Sequence, residues 1–517
     1  MRTGALILIL VSLSAGFPEA QKVLYSPYIK GGLSSLFDVA GKAGDYYWMQ
    51  AGKLQFSNQE SKKSSKDYKG LRFEIFDSRM NPVRIIPYSL PVDLIKQYLV
   101  AGDEYFDQVD FQAADQKIIV SLLRYTADGS SCGTSRTIAE FSSKLKCEDF
   151  ILVRSQNKKK VLLLGFETVP DSPARLYSFL YDENWNLIKR TEYSNFMINK
   201  PLVQYDMVDY ALEGYSSSPI KLLNNGNWLM MVPSVKNHHY VLVYFDKDNT
   251  DTGCLEIKLA SSVSVEDAGL YYDNELKEGF AGILLTTRRT GIKNVRIAHF
   301  AMDPFHLDLD TSYSFNSLAK DKNRYKNIYE EYFLVAPGKG FLFLKEYGKL
   351  LPENGYNNER HTEDRQEGGD STVFLPERNI YWNRGDYTRY DNLAGIRKDF
   401  DRGDLTLFYF PAKRNDSCWS GIINKKQVTE LGRSYLSYVF FPYREKLFLL
   451  YNDLLRDELP YSNTTVLDEK GNLLNEGIEY WLIKNKLVFQ RARQISENEL
   501  AVPYIRDRRN GFAIIRL

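Results

Sequence analysis

A turn that recurs between apolar runs constrains this chain more than any other feature. Asp77 and Asn81 follow LRFEIF, Asp182 and Asn186 follow RLYSFLY, and Asp468 and Asn472 follow NTTVL. Each time Asn stands four residues after Asp, and the apolar pattern then resumes. An Asp at a strand end accepts hydrogen bonds from backbone N–H groups two or three residues on, which closes a turn without a partner strand. Asn tolerates positive φ and is the expected left-handed residue that re-aims the chain. The flanking runs, rich in Val, Ile, Leu, Phe and Tyr, then pair as hairpins. Three unrelated hairpins would also favour Asp and Asn. The preceding strands argue for a repeat instead: KKKVLLLGFETV comes before the Asp182 hairpin as REKLFLLYNDLL comes before the Asp468 hairpin.

Strand runs continue along the chain. GDYYWMQAGKLQF (44–56) reads as a strand pair, followed by KIIVSLLRY, FILVRS, YVLVYFD, GFAGILLTTRR, FLVAPGKGFLFLKEY, DLTLFYF and finally GFAIIRL at 511–517. No long amphipathic helix appears; short ones are expected near 92–100 and 314–329. The fold class is therefore all-β. The 517 residues exceed one ordinary core. Strand pairs group into seven or eight irregular units, which points to a β-propeller of seven or eight blades, closed when the last strand pairs with the N-terminal blade. Two tandem β-domains are the alternative. Aromatic residues make up 14% of the chain, a content that suits half-buried pleated surfaces.

Residues 1–20 have the form of a secretory signal: Arg2, an apolar run from Ala5 to Leu13, then small residues. The run is too short to span a bilayer, so the expected organisation is a signal peptide, then a propeller over 21–517 without a transmembrane segment. A formal net charge of +1 gives no electrostatic reason for a nucleic-acid partner. Export permits disulfides. Cys132 and Cys147 enclose a short segment and form the disulfide candidate, while Cys254 and Cys418 are left unassigned.

The units KKVLLL…LYSFLYDENWNLIKR and REKLFLLYND…TTVLDEKGNLLNEG, with GDLTLFYFPAKRNDSCWSGIINKKQ, resemble those of secreted, propeller-like proteins of Bacteroidota that have no assigned function. The resemblance covers about 151–517. It implies a propeller exported to the periplasm or cell surface, and it supplies no catalytic residues.

Motifs for chemistry are sparse. Gly129, Ser131 and Gly133 match G-x-S-x-G, but a polar turn precedes them and no helix pattern follows, so the strand–turn–helix context of a nucleophile is missing. The five histidines lack metal spacing, which leaves no transition-metal site. Asp246, Asp248 and Thr250 place oxygens at alternate positions, a weak calcium candidate; Asp251 stands where a calcium loop has Gly. No cofactor is expected. The stretch 348–403 is the most suggestive. It starts polar, then turns aromatic and basic at Tyr381, Trp382, Arg384, Tyr387, Arg389 and Tyr390, residue types enriched at binding hot spots. The expected function is non-catalytic binding or scaffolding in the cell envelope, with a protein or glycan partner. A glycan-active enzyme built on paired carboxylates and a structural subunit of a secretion or surface complex are the alternatives.

Overall fold

A computed structural model of the chain describes residues 22–27, 35–54, 68–88, 93–142, 144–146, 149–167, 174–196, 219–234, 239–248, 252–287, 293–314, 328–336, 340–350, 400–411, 418–423, 425, 427–429, 438–444, 446–453, 461–468, 471–475, 481–482, 486–489, 492–506 and 509–517. These form eight antiparallel sheets, the blades of a β-propeller. Blades 1 to 7 follow chain order, within 35–87, 94–142, 150–196, 220–258, 263–314, 328–429 and 438–482. Blade 8 takes its inner and middle strands from 486–516 and its outermost strand, Lys22–Tyr25, from the N-terminal end.

Several second strands are apolar almost throughout. Lys160–Glu167 is buried from Val161 onward because a neighbouring blade covers each of its faces. Eight hydrophobic clusters result, one in every seam. Trp48 and Phe73 of blade 1 meet Leu99 and Phe106 of blade 2, and Val109 and Phe111 meet Leu152 and Leu163 across the next seam. The series runs on through the following seams. It returns where Ile495, Phe512 and Ile514 of blade 8 pack on Val39, Tyr47 and Met49 of blade 1. This closed circuit rules out two tandem β-domains. First strands of neighbouring blades abut, as Ser35–Ala43 does with Leu94–Ala101, so they line the axis. The outer strand Pro82–Pro87 is mostly exposed and carries Pro at both ends, which blocks edge-to-edge pairing.

Closure differs from the sequence expectation in one respect. Arg509–Arg516 pairs with Lys22–Tyr25, so the N-terminal strand completes the C-terminal blade; the last strand does not join blade 1. Ser26 fastens the joint. Its N–H donates to Phe512 O at 2.8 Å, its Oγ accepts from Phe512 N–H at 2.9 Å, and its carbonyl accepts from Tyr504 OH at 2.8 Å. Two further expectations are corrected. Residues 44–56 supply one strand, Tyr46–Leu54, paired with Ser35–Ala43. The region near 92–100 is the strand Leu94–Ala101 rather than a helix, since its alternate residues fill two different seams.

The three Asp–Asn turns share one geometry. In each, the Asp N–H donates to the Asn carbonyl, at 3.0, 3.1 and 3.1 Å. The Asn N–H donates to Asp Oδ1 at 2.8, 2.9 and 2.7 Å, and the Asn side-chain amide donates to Oδ2 at 3.0, 2.9 and 2.8 Å. The left-handed residue is not Asn, as expected, but the one before it: Met80 (φ 66°), Trp185 (φ 60°) and Gly471 (φ 77°). Asn is committed to clamping the carboxylate. The strained position instead aims a side chain into the seam, where Met80 is 1% and Trp185 3% exposed. At Gly471 an added Cβ would lie 2.3 Å from Trp419 of blade 6, so the neighbour's indole fills the space. The same backbone closure recurs at Thr126–Ser130 and Leu223–Asn227, with Gly129 and Gly226 in the left-handed position.

Because strands alternate in direction, connections fall at two ends of the ring. The turn end holds every first-to-second and third-to-fourth connection, including all three Asp–Asn turns. The loop end holds the strand ends that flank the others, including Leu54 and Tyr68, Phe196 and Ile220, Ser314 and Ile328, and Leu350 and Phe400.

Candidate binding face

The loop end receives the 348–403 stretch. Gly348, Lys349 and Leu350 pair with Arg402, Asp401 and Phe400, and Gln427–Thr429 adds a third rung to that ladder. The described middle strands of blade 6 therefore run out to Leu350 and resume at Phe400, and 351–399 lie outside the described residues. Tyr381, Trp382, Arg384, Tyr387, Arg389 and Tyr390 all lie outside the described residues.

Two buried carboxyls lie in the loop-end halves of their strands. Between blades 1 and 2, Asp110 accepts from Gln97 Nε2 at 2.8 Å and from Gln108 Nε2 at 2.7 Å. Burial raises its carboxyl pKa against the pull of those two donors. Nearby on the same face of blade 1, Gln50 Nε2 donates to Tyr88 OH. On the inner strand of blade 5, burial pushes the Asp267 carboxyl up to about 7, opposed only by the Ala268 N–H at 2.8 Å. Burial, then the Asp267 charge, raises the Tyr240 phenol, whose oxygen has no hydrogen-bond partner among the described residues. The sequence reading missed all of these residues. Their signal was a polar side chain set inside an apolar strand, as in YFDQVDFQ and VSVEDAGLYY.

The turn end is densely bonded instead. Arg124 grips Asp107 through Nε and Nη2, at 2.7 and 2.9 Å, and reaches into the next blade's turn at Glu183 O and Asn184 Oδ1. Trp185 Nε1 donates to Asp107 Oδ2 at 2.8 Å. At the closing seam Glu499 accepts from Lys42 Nζ at 2.6 Å, Tyr47 OH at 2.7 Å and Arg516 Nε at 2.8 Å. Burial alone would raise the Glu499 pKa, but these donors and the Lys42 charge hold it below the usual range.

The other sequence candidates are dispersed. Asp246 Oδ1 accepts the Asp248 N–H at 2.9 Å, and both Asp248 oxygens take up the Lys247 ammonium; Thr250 lies outside the described residues. Ser131 stands on a turn between two strands, where its hydroxyl donates to Gly133 O at 2.9 Å. Cys132 is exposed and Cys147 lies outside the described residues. Among the described residues no group of three or more His, Cys, Asp or Glu is arranged to hold a metal ion, and no helix is long and apolar enough to cross a membrane.

No protein-family model and no curated protein sequence matches the chain. Similar solved structures include the β-propeller domain of the Trilobed protease from Pyrococcus furiosus, with TM-score 0.31, 9% identity, and coverage of 95% of this chain and 93% of that one. A Synechocystis apocarotenoid oxygenase variant gives TM-score 0.29 at 10% identity over 79% and 94%. A dipeptidyl aminopeptidase IV from Bacteroides ovatus gives TM-score 0.31 at 8% identity, over 64% of this chain and 47% of that one.

Proposed function

We propose that this propeller is a non-catalytic binding or scaffolding protein of the cell envelope, exported by its N-terminal segment, which engages a protein or glycan through its loop end. The observation that supports this reading is the extended ladder of blade 6, whose ends Leu350 and Phe400 lie at the same end of the ring as the strand ends flanking the other long connections. The aromatic and basic composition of Tyr381 to Tyr390 suits contact with a partner. The test is a pull-down from envelope extract with the intact protein and with 351–399 replaced by a short Gly-Ser linker that keeps the ladder. Loss of the captured partner supports the reading; an unchanged partner set removes the excursion from it.

A second reading, a glycan-active enzyme, is favoured by Asp267, whose buried carboxyl is pushed up to about 7, since glycoside hydrolysis uses a carboxylic acid kept protonated near neutral pH. Asp110 lies on another blade, so Asp267 would need its second carboxylate from elsewhere. Hydrolysis of a polysaccharide panel that is abolished by Asp267→Asn would establish it.

A further inference from the structure

The seam between blades 1 and 2 contains two buried amide oxygens to which no described residue donates, on either side of a buried carboxylate. Gln97 stands opposite Asp110 on the neighbouring strand, and Gln108 precedes Asp110 by two residues on the same face. Asp110, Gln97 and Gln108 are 7%, 1% and 5% exposed. Both amides turn their N–H groups to the carboxylate. Both amide oxygens are thereby left inside the protein, and neither has a donor among the described residues. Reversing either amide would set a carbonyl oxygen against a carboxylate oxygen, so the arrangement is fixed by the charge at its centre. That charge meets no lysine, arginine or histidine among the described residues; burial and the two glutamines are what act on it.

Aromatic rings line the same seam. Phe106, two residues before Gln108, stacks on Trp48 at 4.0 Å between ring centroids. Phe73 stacks on Tyr88 at 4.5 Å, and Tyr125 lies close enough for the Asp110 charge to act on its phenol. The missing partner must therefore bring donors, positive charge and no acceptor, and must suit aromatic faces. An alkylammonium group has all four properties: three N–H donors, one charge, no lone pair, and attraction to aromatic rings. A hydroxyl carries its own acceptor and leaves the carboxylate charge uncompensated.

We propose that this seam is a recognition site for a primary ammonium group, supplied by a small alkylamine or by a lysine side chain. The site is independent of the 351–399 excursion and of the reading built on it. The experiment is calorimetric titration of the full chain at neutral pH with 1,5-diaminopentane, with an Nα-blocked lysine amide, and with 1,5-pentanediol as the neutral control, while Trp48 and the other indoles are followed by fluorescence. Saturable binding of the diamine but not the diol, weakened about tenfold or more by Asp110→Asn, supports the site. Tighter binding of the blocked lysine assigns it to a peptide side chain; tighter binding of the diamine assigns it to a free amine. Equal heats for diamine and diol overturn the proposal on the wild-type protein alone, even if Asp110→Asn fails to fold. Undiminished amine binding by folded Asp110→Asn overturns it too. So does Asp110-dependent binding of calcium chloride or potassium chloride without amine binding.

Discussion

At the turn end, Asp182 is clamped by Asn186 and tied to the preceding blade through Arg124 and Trp185. Toward the loop end, Gln97 and Tyr240 are buried with oxygens that no described donor reaches, and Gln108 is buried in the same way in mid-strand. A buried polar group with a partner is nearly neutral for stability, and one without a partner costs the full price of desolvation. The turn end is thus built to hold the ring, and the loop end carries groups that stability alone does not account for. Such local inconsistencies collect at functional sites.

The sharpest way to break this contrast is Trp185→Ala. It removes a nearly buried indole from the seam of blades 2 and 3 and leaves Asp107 short of one donor. A loss of about 4 kcal/mol is expected in denaturant unfolding; a loss under about 1 kcal/mol would mean that the turn does not anchor its neighbour. Glu499→Ala follows, at about 3 kcal/mol, because it strands Lys42 and Arg516 against Tyr47 at the closing seam. The Glu499 pKa is depressed in the fold, so its contribution is present above the unfolded value of about 4.3 and is lost as pH falls through the folded value.

The loop end has the opposite pH sign. Asp267 has a raised folded pKa, so its contribution is present below the unfolded value of about 3.9 and is lost as pH rises toward about 7. Asp267→Asn is expected to be more stable than the parent at pH above 7 and no more stable at pH below 4, read from unfolding midpoints across pH. A variant that tracks the parent at every pH would show Asp267 to be solvated. Smaller still is Asp182→Ala, which loses the solvent-facing clamp on Asn186, at about 1 kcal/mol. Smallest is the Gly-Ser replacement of 351–399, whose unfolding midpoint should stay within about 1 kcal/mol of the parent because loop length enters stability only logarithmically.

The propeller was legible from the alternation of apolar runs and from the Asp–Asn spacing, since both are local. The blade count was legible only as seven or eight, with eight observed, because inner strands such as Ile220–Leu222 are short, and blade 8 joins residues from both ends of the chain. The left-handed residue was misplaced for a tertiary reason: Trp185 accepts an uncommon φ because a neighbouring blade has a place for its indole. Asp110 and Asp267 escaped notice because only the ring shows that the strands carrying them are covered on both faces. The aromatic residues from Tyr381 to Tyr390 drew attention by composition, and their role rests on experiment.

Cross-linking mass spectrometry of the protein with its captured envelope partner compares the two ends directly. Cross-links concentrated on the loop-end segments 55–67, 197–218 and 351–399 are the predicted result. Cross-links concentrated on the turns at 77–81, 182–186 and 468–472 would contradict it.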